Sequence, residues 1–135
     1  MTITRFAVTY CITALVFFAI DLLWLGVIAR NLYAKYLGHF LAERVNWVAA
    51  IIFYALYIVG IILFAIEPGV RSDSCSRAVI WGVLYGFFTY ATYELTNLAI
   101  LKNWPVTIVF IDIAWGMALC GIASAAGFWA ATRLS

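Results

Sequence analysis

Three acidic residues interrupt long apolar runs: Asp21 in Phe-Ala-Ile-Asp-Leu-Leu-Trp, Glu94 in Tyr-Ala-Thr-Tyr-Glu-Leu-Thr-Asn, and Asp112 in Val-Phe-Ile-Asp-Ile-Ala-Trp. Carboxyl groups in such surroundings can hold a proton, a hard cation, or a cationic or hydroxylated small molecule. Tyr90, Tyr93 and Asn97 flank Glu94 at spacings of three and four, which place them on neighbouring parts of one helix face. Asp21 and Asp112 each precede a tryptophan by three residues, Trp24 and Trp115, and Tyr54 with Tyr57 repeats the spacing of Tyr90 with Tyr93. Such short matches arise easily in a chain rich in Trp and Tyr, so they are not read as repeats.

The elements that carry these groups follow from composition. Of 135 residues, 67% are hydrophobic and only 10% charged, and the mean hydropathy is +1.07, whereas soluble domains carry roughly 25% charged residues. The solvent for such a surface is a bilayer, which a helix crosses with about 20 apolar residues. Four stretches satisfy this: 6–28, 47–66, 78–101 and 106–131. The expected fold is therefore all-α, an integral membrane four-helix bundle forming a single transmembrane domain over 1–135. Arg5 followed by an apolar run resembles a signal peptide, but no small-x-small cleavage site follows, so the first helix is expected to be retained.

The first connection, Ala29 to Asn46, repeats apolar residues as Leu32, Tyr36, Phe40 and as Tyr33, Leu37, Leu41, the pattern of an amphipathic segment lying in the interface. The second, Glu67 to Arg77, opens with Pro68-Gly69 and reads as an exposed turn. The third, Lys102 to Pro105, is so short that the helices it joins must be antiparallel neighbours.

With four spans, the N-terminus, the second connection and the C-terminus share one side, face A; the other connections share face B. Face A collects Arg5, Arg71, Arg77 and Arg133, and face B collects Arg30, Lys35, Arg44 and Lys102. With the basic residues tied, the positive-inside rule does not choose which face is cytoplasmic. A net charge of +2 with scattered basic residues gives no nucleic-acid footprint.

Depth then unites the acids. Asp21 and Glu94 lie about seven residues short of the face B ends of their helices, and Asp112 about six past the start of its own, so at 1.5 Å per residue all three sit roughly 10 Å below face B. Tyr54 falls at the same level. Insertion scales charge roughly 2.5 to 3.5 kcal/mol for a carboxylate at a span centre, so these groups should face inward, and three so close cannot all remain ionised without a cation. Toward face A, Gly82 and Gly86 on one helix and Gly116, Cys120 and Ser124 on the next are small residues four apart, which permit close helix approach. The expected bundle is tight toward face A and opens toward face B into a polar cavity walled by Tyr54, Tyr90, Tyr93, Trp24 and Trp115.

Other features read as structural. Cys11, Cys75 and Cys120 form no Cys-x-x-Cys pair; Cys11 and Cys120 fall within spans and read as small packing residues. His39 lies in the interfacial segment, and Trp47 and Trp104 suit an interfacial aromatic belt. No metal-ligand pattern of the Glu-x-x-His type appears, and no cofactor motif is evident.

The strings Asp21 to Gly26, Phe53-Tyr54 with Tyr57 and Gly60, Pro68, Tyr90 to Asn97, Trp104-Pro105, and Asp112 with Trp115-Gly116 together resemble the bacterial membrane family catalogued as domain of unknown function 2177. In that family the position of Glu94 is commonly Asp, so this chain keeps the acid and lengthens it. The resemblance implies a small multi-pass protein of the bacterial inner membrane and carries no established activity. Three functional readings follow from the residues. The first is a module binding a proton, a cation or a small polar or cationic ligand through Asp21, Glu94, Asp112 and Asn97. The second is an accessory subunit that binds a membrane protein partner, with the acids fixing the bundle. The third, a membrane enzyme acting on a lipid-like substrate, is less favoured because no nucleophile elbow or phosphate loop is present.

Overall fold

The computed structural model describes residues 1–41 and 44–134; positions 42 and 43 of the first connection and position 135 of the expected domain lie outside the described residues. Among the described residues there are helices and turns and no strand. The helices are α1 (Ile3–Ile28), α2 (Arg30–Leu37), α3 (Trp47–Arg71), α4 (Cys75–Ile100) and α5 (Val106–Arg133). They form an all-α membrane bundle. By length and apolar content α1, α3 and α5 suffice to cross a bilayer. At 26 residues α4 equals them in length, but it carries the polar string from Thr89 to Asn97.

Side-chain caps set the starts a few residues earlier than periodicity indicates. The Thr2 hydroxyl accepts the Arg5 N–H at 3.1 Å, so α1 begins at Ile3. The Ser74 hydroxyl accepts the Arg77 N–H at 3.1 Å, so α4 begins at Cys75. Each cap satisfies an N–H that the first helical turn leaves without a partner.

The second connection differs most from expectation, because α3 runs on through Pro68 and Gly69 to Arg71. A wide π-helical turn at Ile62–Ile66 shifts the hydrogen-bond register, so that Pro68 enters the first turn of a fresh α segment, where its missing N–H costs nothing. Gly69 is required by close approach: a Cβ there would lie 2.6 Å from that of Ala78. The reversal is thus confined to 72–74, with Asp73 at φ 49°. Asn103, at φ 61°, turns the chain between α4 and α5; short polar side chains tolerate this left-handed conformation best after glycine.

α5 is the central helix, with α4 packed along one side and α1 on another. The small-residue zipper is present as expected. A Cβ added to Gly82 would run into Ser124, one added to Gly86 into the Gly116 carbonyl, and one added to Gly116 into the Tyr90 ring. On α1 the inward stripe is Thr9, Thr13, Phe17 and Asp21, all buried and four apart. Cys11 therefore points outward and is exposed, contrary to the packing role read from sequence, because two residues turn a helix by about 200°. Cys120 is buried, with its sulfur 3.1 Å from the Tyr57 hydroxyl.

α3 joins this core through its face A half. Tyr57, Ile58, Ile61, Ile62, Ala65 and Ile66 are buried, whereas Trp47, Val48, Ile51, Ile52, Phe53 and Leu56 remain exposed.

Candidate functional site

The inward stripes of α1, α4 and α5 carry the three carboxylates into the interior, at 7% exposure for Asp21, 1% for Glu94 and 8% for Asp112. Each is held by an aromatic donor from another element. The Trp115 indole donates to Asp21 Oδ1 at 3.1 Å, joining α5 to α1. The Tyr33 hydroxyl donates to Asp112 Oδ1 at 2.7 Å, joining α2 to α5. The Trp104 indole donates to Glu94 Oε1 at 3.1 Å, joining the α4–α5 turn to α4.

The two Asp-x-x-Trp strings interlock crosswise. Trp24 stacks on Trp115, with ring centroids 4.4 Å apart and planes 8° from parallel, while its own indole N–H reaches the Tyr33 hydroxyl at 3.3 Å. Trp115 thus serves the aspartate of α1 directly, and Trp24 serves that of α5 through Tyr33. Burial, the largest influence, pushes the Tyr33 phenol above its ordinary range, so it stays protonated and donates to Asp112.

Glu94 and Asp112 are close enough to influence each other electrostatically. Glu94 Oε2 is buried and meets no N–H or hydroxyl donor among the described residues. Two facing carboxyl groups form a hydrogen bond only when one of them carries a proton.

Tyr54 and Tyr90 are half-buried and sit within electrostatic range of both Asp21 and Asp112. Tyr93 is more exposed, close to Glu94 and Asp112, with Asn97 beside it one turn on. The structure therefore gathers all nine residues singled out in the sequence, although Asn97 touches Tyr93 rather than a carboxylate. Among the described residues no group of three or more His, Cys, Asp or Glu is placed to hold a metal ion.

Two participants go unassigned in the sequence. Tyr33 reads there as part of the interfacial segment, yet α2 folds over the layer. Its inward residues Leu32, Tyr33, Tyr36 and Leu37, with Phe40, pack on Trp104, Ile108, Val109, Leu98 and Ile113. Trp104 reads as a member of the aromatic belt, yet it is 7% exposed and bonds Glu94. The apolar pattern of α2 carries a signal for Tyr33; no pattern carries one for Trp104. Where the sequence suggests a cavity opening to face B, the carboxylates lie beneath a packed roof of α2 and Trp104.

The chain matches the model of the family described as a predicted membrane protein (DUF2177) over residues 6–129, and it belongs to that family. Comparison with curated proteins gives no match, and comparison with solved structures gives none.

Proposed function

From membership of this membrane family, we propose that the protein is a four-span, multi-pass protein of the bacterial inner membrane. In this reading Asp21, Glu94 and Asp112 bind a proton that a cationic or polar ligand displaces. The observation that carries the reading is the burial of Glu94, 1% exposed, with its Oε2 free of any N–H or hydroxyl donor among the described residues and Asp112 in electrostatic range. Two ionised carboxylates held close together in a low-dielectric interior repel each other. One shared proton removes that repulsion, and a bound cation can take its place. Tyr54, Tyr90, Tyr93, Asn97, Trp24 and Trp115 form the surrounding shell.

Infrared difference spectroscopy of the protein in lipid tests this. A protonated-carboxyl C=O band should be present at neutral pH and vanish in Glu94→Gln or Asp112→Asn, while circular dichroism shows the helices intact. Absence of that band from the wild-type protein at neutral pH would overturn the reading.

A second reading, an accessory subunit whose acids fix the bundle, draws on the same aromatic bonds, since each carboxylate ties two elements together. It predicts that isosteric substitutions chiefly lower thermal stability and that mild detergent extraction recovers the chain in a defined complex.

A further inference from the structure

The carboxylate layer has a roof on its face B side and a zipper on its face A side, and toward face B α3 and α4 separate, leaving a gap between them. These helices pack closely only through 62–71 of α3. From Gly60 toward face B the contact passes to long aromatic side chains. The Tyr85 ring seats against Gly60 and its hydroxyl donates to the Tyr57 carbonyl at 3.3 Å, and the Tyr57 hydroxyl meets that of Thr89 at 2.8 Å. Beyond Tyr57, α3 leans on α1 instead, with Tyr54 edge-on to Phe18 at 5.1 Å. The lips of the cleft, Phe53 and Leu56 on α3 and Phe88 and Tyr93 on α4, are 54 to 65% exposed. In a bilayer those lips face acyl chains.

There Tyr54 on α3 and the exposed Tyr93 on α4 stand within electrostatic range of each other and of Asp112, and Tyr90 stands within range of Asp21, Asp112 and Tyr54. Exposed apolar side chains and tyrosines in electrostatic range of the carboxylates thus border the same gap. None of the eight Lys and Arg residues is hydrogen-bonded or ion-paired to these acids among the described residues. Three buried carboxylates without a basic partner complement positive charge.

We infer that the site takes a membrane-resident amphiphile with a primary-amine head, which enters sideways from the bilayer between α3 and α4 and places its ammonium group at Glu94 and Asp112 while its chain stays in lipid. This deepens the proposed function and rests on it. The ammonium group supplies three N–H donors, one of which meets the free Glu94 Oε2, and the shared proton leaves as the cation arrives. A head confined to water meets the α2 roof instead.

The test uses the full chain in nanodiscs, with oleylamine at a few mole percent of lipid, oleyl alcohol at the same fraction, and ethylamine in the buffer. Thermal unfolding and tryptophan fluorescence are read for the wild type and for the Glu94→Gln/Asp112→Asn double variant. Oleylamine alone should raise the melting temperature by several degrees and alter the emission of the Trp24–Trp115 pair, and both effects should be lost in the double variant. Equal action of ethylamine, in the wild type only, would overturn the lateral route and leave the carboxylate reading standing. Equal action of oleyl alcohol, or an oleylamine effect that is absent or persists in the double variant, would overturn the inference. Should the double variant not fold, the alcohol comparison in the wild type decides alone. The infrared band of the shared proton reports separately on the underlying reading.

Discussion

The indole of Trp24 lies flat against that of Trp115, 4.4 Å between centroids and 8° between planes, so α1 and α5 are joined by a stacked pair beside the buried aspartates. From this pair the hydrogen bonds diverge, Trp115 to Asp21 and Trp24 through Tyr33 to Asp112. Trp115→Phe keeps an aromatic partner for Trp24 and removes the donor to Asp21. The expected loss is about 1 to 2 kcal/mol, the value of a hydrogen bond to a carboxyl group. Equilibrium unfolding in mixed micelles measures it, and a double-mutant cycle with Asp21→Asn should show that the two losses are not additive.

The zipper between α4 and α5 gives a second expectation. Gly86→Ala drives a methyl group into the Gly116 carbonyl, and Gly116→Ala drives one into the Tyr90 ring. Each should cost about 1 to 3 kcal/mol, as overpacking does. Gly26, around which a Cβ finds nothing within 4 Å, is the control: Gly26→Ala should leave stability unchanged or slightly raised. Melting temperatures of the three variants check this ordering.

Tyr33 fastens the roof. Tyr33→Phe retains the packing of α2 on Trp104 and Ile108 but removes the bond to Asp112. Hydrogen exchange of the amides of Arg30–Leu37 should accelerate several-fold while that of α5 stays unchanged. Equal protection of α2 in the two proteins would show that its apolar face alone holds it down.

The cysteines offer a reading of orientation that the balanced Lys and Arg residues withhold. Cys75 is exposed in the first turn of α4 at face A, Cys11 is exposed in the middle of α1 where lipid surrounds it, and Cys120 is buried. A membrane-impermeant maleimide should label Cys75 alone in sealed vesicles whose outer surface is face A, none in vesicles of the opposite sense, and all three after detergent denaturation. Labelling of Cys120 before denaturation would contradict the packing of α4 on α5.

Composition and spacing are enough to settle the solvent and the layer. A chain with this few charges needs a bilayer, a bilayer requires helices that satisfy their own backbone, and once those helices are counted off at 1.5 Å per residue the depths of Asp21, Glu94 and Asp112 coincide. The zipper of Gly82, Gly86 and Gly116 is legible for the same reason, because spacing along one helix is a local property. Which donor meets which acid is settled only by helix packing. It depends on how each helix is rotated and where its axis crosses its neighbours, and no residue spacing within one helix encodes that. Trp115 therefore bonds the aspartate of another helix rather than the one a turn away, Trp104 leaves the interfacial belt for Glu94, and α2 descends onto the carboxylates. The passage of α3 through Pro68 belongs to the same class, since a single π-helical turn upstream changes where proline falls in the hydrogen-bond register. The buried acids are visible as residues; their closed roof exists only once the helices are packed.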